Sequence, residues 1–155
     1  MVVRQCQISK GLWQEFVKPK RQRGSKANSK AAAEALGLLG GKEAIQGLEY
    51  AAADQEDFVR LAAVEGLGKT HLKAAEKTLL LALKDKSEHV RWAAANGLSS
   101  IASNETVSLL LPSLDDTTGP YWEQKRICDV IVDILKQIGS DEALKAVANW
   151  GNNKV

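Results

Sequence analysis

The feature that most constrains this chain is a repeat. Leu36, Leu67 and Leu98 stand 31 residues apart, and so do Asp54, Asp85 and Asp116. The pair Val59-Arg60 returns as Val90-Arg91, Ala31-Ala32 as Ala62-Ala63 and Ala93-Ala94, and Leu48 as Leu79 and Leu110. Three copies align without a gap. A fourth follows after a shift of 37, which sets Ile127 on Val90, Leu135 on Leu98 and Ile138 on Ile101. The six extra residues fall in the turn-rich stretch Asp115–Trp122. Self-similarity at this period means supersecondary units that bury their apolar faces only by stacking on their neighbours.

Within a copy, the apolar spacing is helical. In the stretch Asp57–Gly68, Val59, Ala63 and Leu67 form an i, i+4, i+8 stripe, with small residues where helices must approach closely. The stretch Leu72–Lys84 offers Ala75, Leu79, Leu80 and Leu83 as a second buried face. Gly or small polar clusters separate the two: Gly40-Gly41, Gly68 onward, Ser99 to Asn104, and Gly139-Ser140. Asn104 and Ser140 suit helix N-caps, and Pro120 suits the first turn of a long helix over 121–138. No useful length of the chain alternates as a strand does. The fold class is therefore all-α, a stack of about four helical hairpins.

The segments Asp54…Phe58-Val-Arg-Leu-Ala-Ala-Val-Glu-Gly-Leu-Gly68 and Asp85…His89-Val-Arg-Trp-Ala-Ala-Ala-Asn-Gly-Leu98 carry an Asp, then Val-Arg, then Ala-Ala, then a Leu. In this the chain resembles the HEAT-repeat family, in particular its short phycobilisome-lyase-type HEAT-like repeats, over about residues 26–155. The resemblance implies a right-handed α-solenoid of about four HEAT-like hairpins. It is nearly silent on function, since such solenoids serve as scaffolds, adaptors and a few enzymes. Asn28-Ser29 and Ile127-Cys128 replace Val-Arg in the terminal copies.

Charge divides the chain further. The sequence has 155 residues, 21 basic and 19 acidic side chains, and 45% apolar residues, enough for one domain with a real core. Residues 1–30 hold eight basic side chains against Glu15 alone, a net of +7; the rest hold 13 against 18, a net of −5. The run from Lys18 to Ser25 reads as a basic linker. Ahead of it Leu12, Trp13, Phe16 and Val17 share a face of a short helix that Pro19 would end, and this helix would cap the first repeat or mediate self-association. The expected organisation is thus 1–25, short helix plus linker, and 26–155, repeat domain. The first 17 residues are too polar for a signal-peptide core, and no apolar run nears the ~20 residues that span a bilayer. A cytoplasmic location is expected, with no membrane contact.

Several apparent motifs lose force in context. Ala63-Val-Glu-Gly-Leu-Gly-Lys-Thr70 loosely matches a phosphate loop, but it lies within a helix rather than after a strand. His71 and His89 lack Cys, Asp or Glu at ligand spacing, so no metal site and no cofactor are expected. Cys128 has no His base in its own repeat, and no catalytic constellation emerges. Asp54 with Arg60, and Asp85 with Arg91, stand six residues apart; an Asp at the inter-repeat turn, accepting from the Arg of the following helix, would tie repeats into a structural ladder.

The functional expectation rests on one face. Residues displaced from the core stripe of the Val-Arg helices line the concave side: Phe58, Leu61 and Glu65, then His89, Trp92 and Asn96. The same register offers Lys30, Glu34 and Leu38 in the first copy and Arg126, Asp129 and Asp133 in the fourth. Aromatics rimmed by charge suit a protein-binding hot spot, although Phe58 and Trp92 also suit packing between repeats. Tyr121-Trp122 would cover the last repeat. The expected partner is another protein held in the concave groove, with homo-oligomers through the solenoid ends as a further possibility. Nucleic acid is disfavoured by the acidic body, although the basic segment 18–30 leaves it open. As the resemblance implies, the alternative is a subunit related to bilin lyases or phycobilisome-processing proteins, with His89, Trp92, Asp129 and Asp133 as the groups available to a bilin.

Overall fold

A computed structural model describes residues 26–152 except Trp122. The short helix and basic linker expected over 1–25 lie outside the described residues. Eight α-helices run along the described chain: α1 (Lys26–Leu39), α2 (Lys42–Ala51), α3 (Asp57–Thr70), α4 (Glu76–Ala82), α5 (Glu88–Leu98), α6 (Val107–Leu110), α7 (Ile127–Ile138) and α8 (Asp141–Asn152). Short 3-10 turns at Lys73–Ala75 and Asn104–Thr106 lead into α4 and α6, and a third, Leu111–Asp115, follows α6. The described residues contain no strand.

The 31-residue register holds in space. α1, α3 and α5 begin at Lys26, Asp57 and Glu88, while the outer elements begin at Lys42, Lys73 and Asn104. The recurring leucines are its anchors: Leu36, Leu67 and Leu98, and likewise Leu48, Leu79 and Leu110, are fully buried. Each such leucine contributes ~2 kcal/mol by leaving water. The odd-numbered helices pack side by side as an inner layer, and each even-numbered helix folds back on the outside. The result is a right-handed α-solenoid of helical hairpins.

Glycine sets the inner spacing. A Cβ on Gly66 would stand 2.6 Å from the Ala33 carbonyl oxygen, and one on Gly68 would stand 2.9 Å from the Gly97 Cα. α1, α3 and α5 therefore touch backbone to backbone along their C-terminal halves, while the outer helices make few contacts with one another. A close inner layer and a splayed outer layer curve the stack, with α1, α3, α5 and α7 on the concave side.

The sequence expectations differ from the structure in three places. The long helix expected over 121–138 begins only at Ile127. Its start is held there by hydrogen bonds from the Ile127 and Cys128 backbone N–H groups to the carbonyls of Thr118 and Asp116, and Pro120 opens a turn closed by the Glu123 N–H. Tyr121 is consequently 92% exposed rather than buried over the last repeat; Trp122 lies outside the described residues. The third outer element is capped by Ser103 rather than Asn104, with the Thr106 hydroxyl accepting from the Ser103 N–H at 3.0 Å. Ser140 does cap α8, accepting from the Ala143 N–H at 3.3 Å. The phosphate-loop look-alike at 63–70 lies inside α3, where its backbone is committed to the helix.

Candidate functional site: the concave groove

The recurring aspartates explain how adjacent repeats are held. Asp54, Asp85 and Asp116 each accept a hydrogen bond from the backbone N–H two residues on, at Glu56, Ser87 and Thr118. Each carboxylate thus shapes the turn into the next hairpin. Arg60 lies nearly buried; its Nη1 donates to the backbone carbonyls of Asp54 and Gln55. Its Nε and Nη2 donate to Asp85 of the next repeat at 2.7 and 2.9 Å. Arg91 repeats the move: Nη1 to the Asp85 carbonyl at 2.8 Å and Nε to Asp116 at 2.7 Å. The six-residue pairs proposed from sequence meet through the Asp backbone, whereas the carboxylate rungs run one repeat forward.

Electrostatics at the rungs follow from burial and donors. Burial pushes the Asp85 carboxyl up, but hydrogen bonds from Arg60 and the Ser87 N–H outweigh it and hold the group below the usual carboxylate range. Burial acts likewise on Asp116, where hydrogen bonds from Arg91 and Thr118 win in the same direction. The hydrogen bond to Asp85 raises the already high Arg60 value. The rungs stay ionised.

On this frame a groove of about 250 Å³ opens on the concave side. Its floor is Phe58, Leu61 and Ala62 of α3; Lys30, Glu65 and His89 rim it, with Asp57 and Ser87 at its mouth. Phe58 and Leu61 are half-buried and packed against the core, so their outer faces are rigidly presented. Lys30 reaches Glu65 at 3.9 Å, and Lys69 reaches Glu34 at 2.5 Å one turn further on. The rim charges Lys30 and Glu65 are therefore already matched across α1 and α3, whereas Asp57 makes no ion pair among the described residues and accepts from the Phe58 N–H. The Lys69 ammonium holds the Glu34 carboxyl below its usual range.

Five of the residues singled out from sequence, Lys30, Phe58, Leu61, Glu65 and His89, meet in this groove. Glu34, Leu38, Trp92, Asn96, Arg126, Asp129 and Asp133 do not line it. Trp92 is half-buried against the core, its indole N–H shielded from solvent and without a hydrogen-bond acceptor among the described residues. Asn96 is exposed and donates to the Trp92 carbonyl at 3.0 Å. Arg126 pairs with Asp129 at 2.9 Å, and Asp133 with Lys125 at 2.6 Å, which engages both carboxylates of α7. Sequence reasoning missed Asp57 and Ser87. Their signal was positional: Asp57 opens α3 and Ser87 immediately precedes α5.

Among the described residues no group of three or more His, Cys, Asp or Glu is arranged to hold a metal ion. No helix there is long and apolar enough to cross a membrane. Cys128 occupies the Arg91 position of the fourth copy and is buried.

Comparisons with known proteins agree with this architecture. A family model described as HEAT repeats matches residues 50–127. No curated protein matches the chain by sequence. Among solved structures, the chain is similar to one in the complex of CpcE and CpcF of phycocyanin lyase from Nostoc sp. PCC7120, with a TM-score of 0.62 and 19% identity. The match covers 83% of this chain and 60% of that one, so this chain spans less than two thirds of its neighbour's length. At that identity the likeness is one of fold.

Proposed function

The chain belongs to the HEAT-repeat family, and from that premise we propose that it is a protein-interaction module that holds a partner polypeptide in its concave groove. The observation carrying this reading is the preformed apolar floor of Phe58 and Leu61 beside the Lys30–Glu65 pair. A partner inserting an apolar side chain there would displace water from a surface that needs no reordering, so docking costs little conformational entropy. The Arg60 and Arg91 rungs support it by fixing the angle between the repeats that form the groove. In this reading Phe58, Leu61, Glu65 and His89 touch the partner, and Trp92 supports the helix that presents them.

A second reading draws on the structural neighbour, a phycocyanin lyase complex of two proteins: this chain would be one subunit of a related lyase assembly. Against a bilin in the fourth copy, Asp129 and Asp133 are already engaged by Arg126 and Lys125.

The experiment compares wild type with Leu61→Arg as bait in the source lysate, with partners identified after elution. Loss of a specific co-eluting protein from Leu61→Arg, at unchanged melting temperature, is the expected result. Identical captures by both baits would sink the groove reading. Visible absorbance in the eluted wild-type complex would favour the lyase-related one.

A further inference from the structure

The outer layer carries a second apolar site, unrelated to the concave groove. Leu81 on α4 and Leu109 on α6 are 64% and 55% exposed, among the most exposed large apolar side chains described. Together with half-buried Leu80 they line a groove of about 430 Å³ between the two outer helices. Leucines so exposed side by side are unusual on a surface where the core stripe of each helix is otherwise turned inward.

The charges around this groove differ from those of the concave side. There Lys30, Glu34, Glu65, Lys69, Lys125, Arg126, Asp129 and Asp133 are matched within the chain. Here Lys77 and Lys84 stand along the α4 side and Glu105 along the α6 side, and none of the three makes an ion pair among the described residues. Glu76, the other acid in the groove, is taken by Lys73 at 2.6 Å. The patch is therefore apolar in the middle, cationic on one edge and anionic on the other.

Such a patch complements itself. A two-fold axis through its centre lays the leucines of one copy on those of the other and reverses the edges, so each cationic edge meets an anionic one. We propose that the chain forms a two-fold dimer through the outer faces of α4 and α6, with Leu81 and Leu109 in the centre and Lys84 of each copy against Glu105 of the other. The concave groove of each copy then faces away from the interface and stays open to a partner.

Analytical ultracentrifugation of the full chain, from micromolar to roughly 0.5 mM, tests this. Wild type should pass from monomer to dimer as concentration rises, and Leu81→Glu should weaken that association by about tenfold or more. Lys84→Glu alone places like charges at both contacts, as does Glu105→Lys alone, so each should associate more weakly than wild type. Mixed one to one, the two variants should form a heterodimer in which one charge contact is restored in swapped form and the other keeps its native pair. All three substitutions are at exposed positions, and unchanged helical circular dichroism verifies the fold. A wild type that stays monomeric throughout would overturn the proposal. So would a dimer indifferent to Leu81→Glu, which would place the contact elsewhere, or a charge-swapped mixture no tighter than its components.

Discussion

Arg60 and Asp85, 25 residues apart, share two hydrogen bonds of 2.7 and 2.9 Å, with both side chains largely withdrawn from water. The pair spans the joint between two repeats, and removing either member leaves the other partly buried and uncompensated. Arg60→Ala is expected to cost about 3 kcal/mol or more. Asp85→Ala should cost a similar amount and also lose the turn bond to the Ser87 N–H. In a double-mutant cycle followed by urea denaturation, the coupling should be roughly 1–3 kcal/mol. An additive cycle would mean that the backbone carbonyls of Asp54 and Gln55 alone hold the guanidinium.

Acid should loosen the same joints. Asp85 and Asp116 have folded-state values below their unfolded ones, so their stabilisation is fully present above the unfolded value of about 3.9 and is lost as pH falls through the folded value. Arg60 stays protonated throughout and adds no slope. The melting temperature should hold steady from about pH 7 to pH 5 and decline below about pH 4. Asp116→Asn should melt lower near neutrality yet show a shallower acid decline. An equally steep decline in that variant would assign acid sensitivity to other carboxylates.

Two glycines should respond to alanine with opposite signs. Helix propensity favours Ala over Gly by about 1 kcal/mol in a helix interior. At Gly66 that gain meets a Cβ only 2.6 Å from the Ala33 carbonyl and 2.9 Å from Leu48 Cδ2. Gly66→Ala should therefore destabilise by about 2 kcal/mol or more. Gly151 lies in the last turn of α8, and none of the described residues beyond its own helix comes within 4 Å of where an added methyl would sit. Gly151→Ala should be neutral or stabilising by a few tenths of a kcal/mol. Thermal melts of the two variants, side by side, check both signs.

Trp92 should separate packing from hydrogen bonding. Trp92→Ala empties space against the core and is expected to cost about 3 kcal/mol. Trp92→Phe keeps most of the aromatic packing and removes a shielded donor that has no acceptor among the described residues. Its cost should be less than half that of the alanine change, because losing an unsatisfied donor offsets part of the lost volume. Equal costs for the two would show that the indole N–H contributes to stability.

The repeat register was legible because a solenoid writes each contact several times. Leu67 is buried for the same reason as Leu36 and Leu98, and three agreeing positions outweigh local ambiguity. Where the copies differ, that redundancy fails. The insertion after Asp115 has no counterpart, so nothing in the spacing revealed that Thr118 and Asp116 would hold the start of α7. The rungs were half legible: Asp and Arg recur at a fixed interval, but a sequence interval of 31 cannot distinguish pairing within a copy from pairing with the next. The concave groove was legible in Phe58, Leu61, Glu65 and His89, which follow the helix period. Trp92 was not, because a large ring at a boundary position can turn toward core or solvent without changing the pattern.

The glycine seam between α1, α3 and α5 has a mechanical consequence. Backbone already rests on backbone along the inner layer, so curling the arc more tightly would drive carbonyls into Cα atoms, against which the chain has no give. Flattening the arc meets no such obstacle, since the outer helices are splayed and have room to close. The stack thus behaves as a spring with a hard stop on one side. In the proposed role it would yield to a partner larger than the groove and resist clenching around a smaller one, so its elasticity itself would set a lower limit on the size of what it could grip.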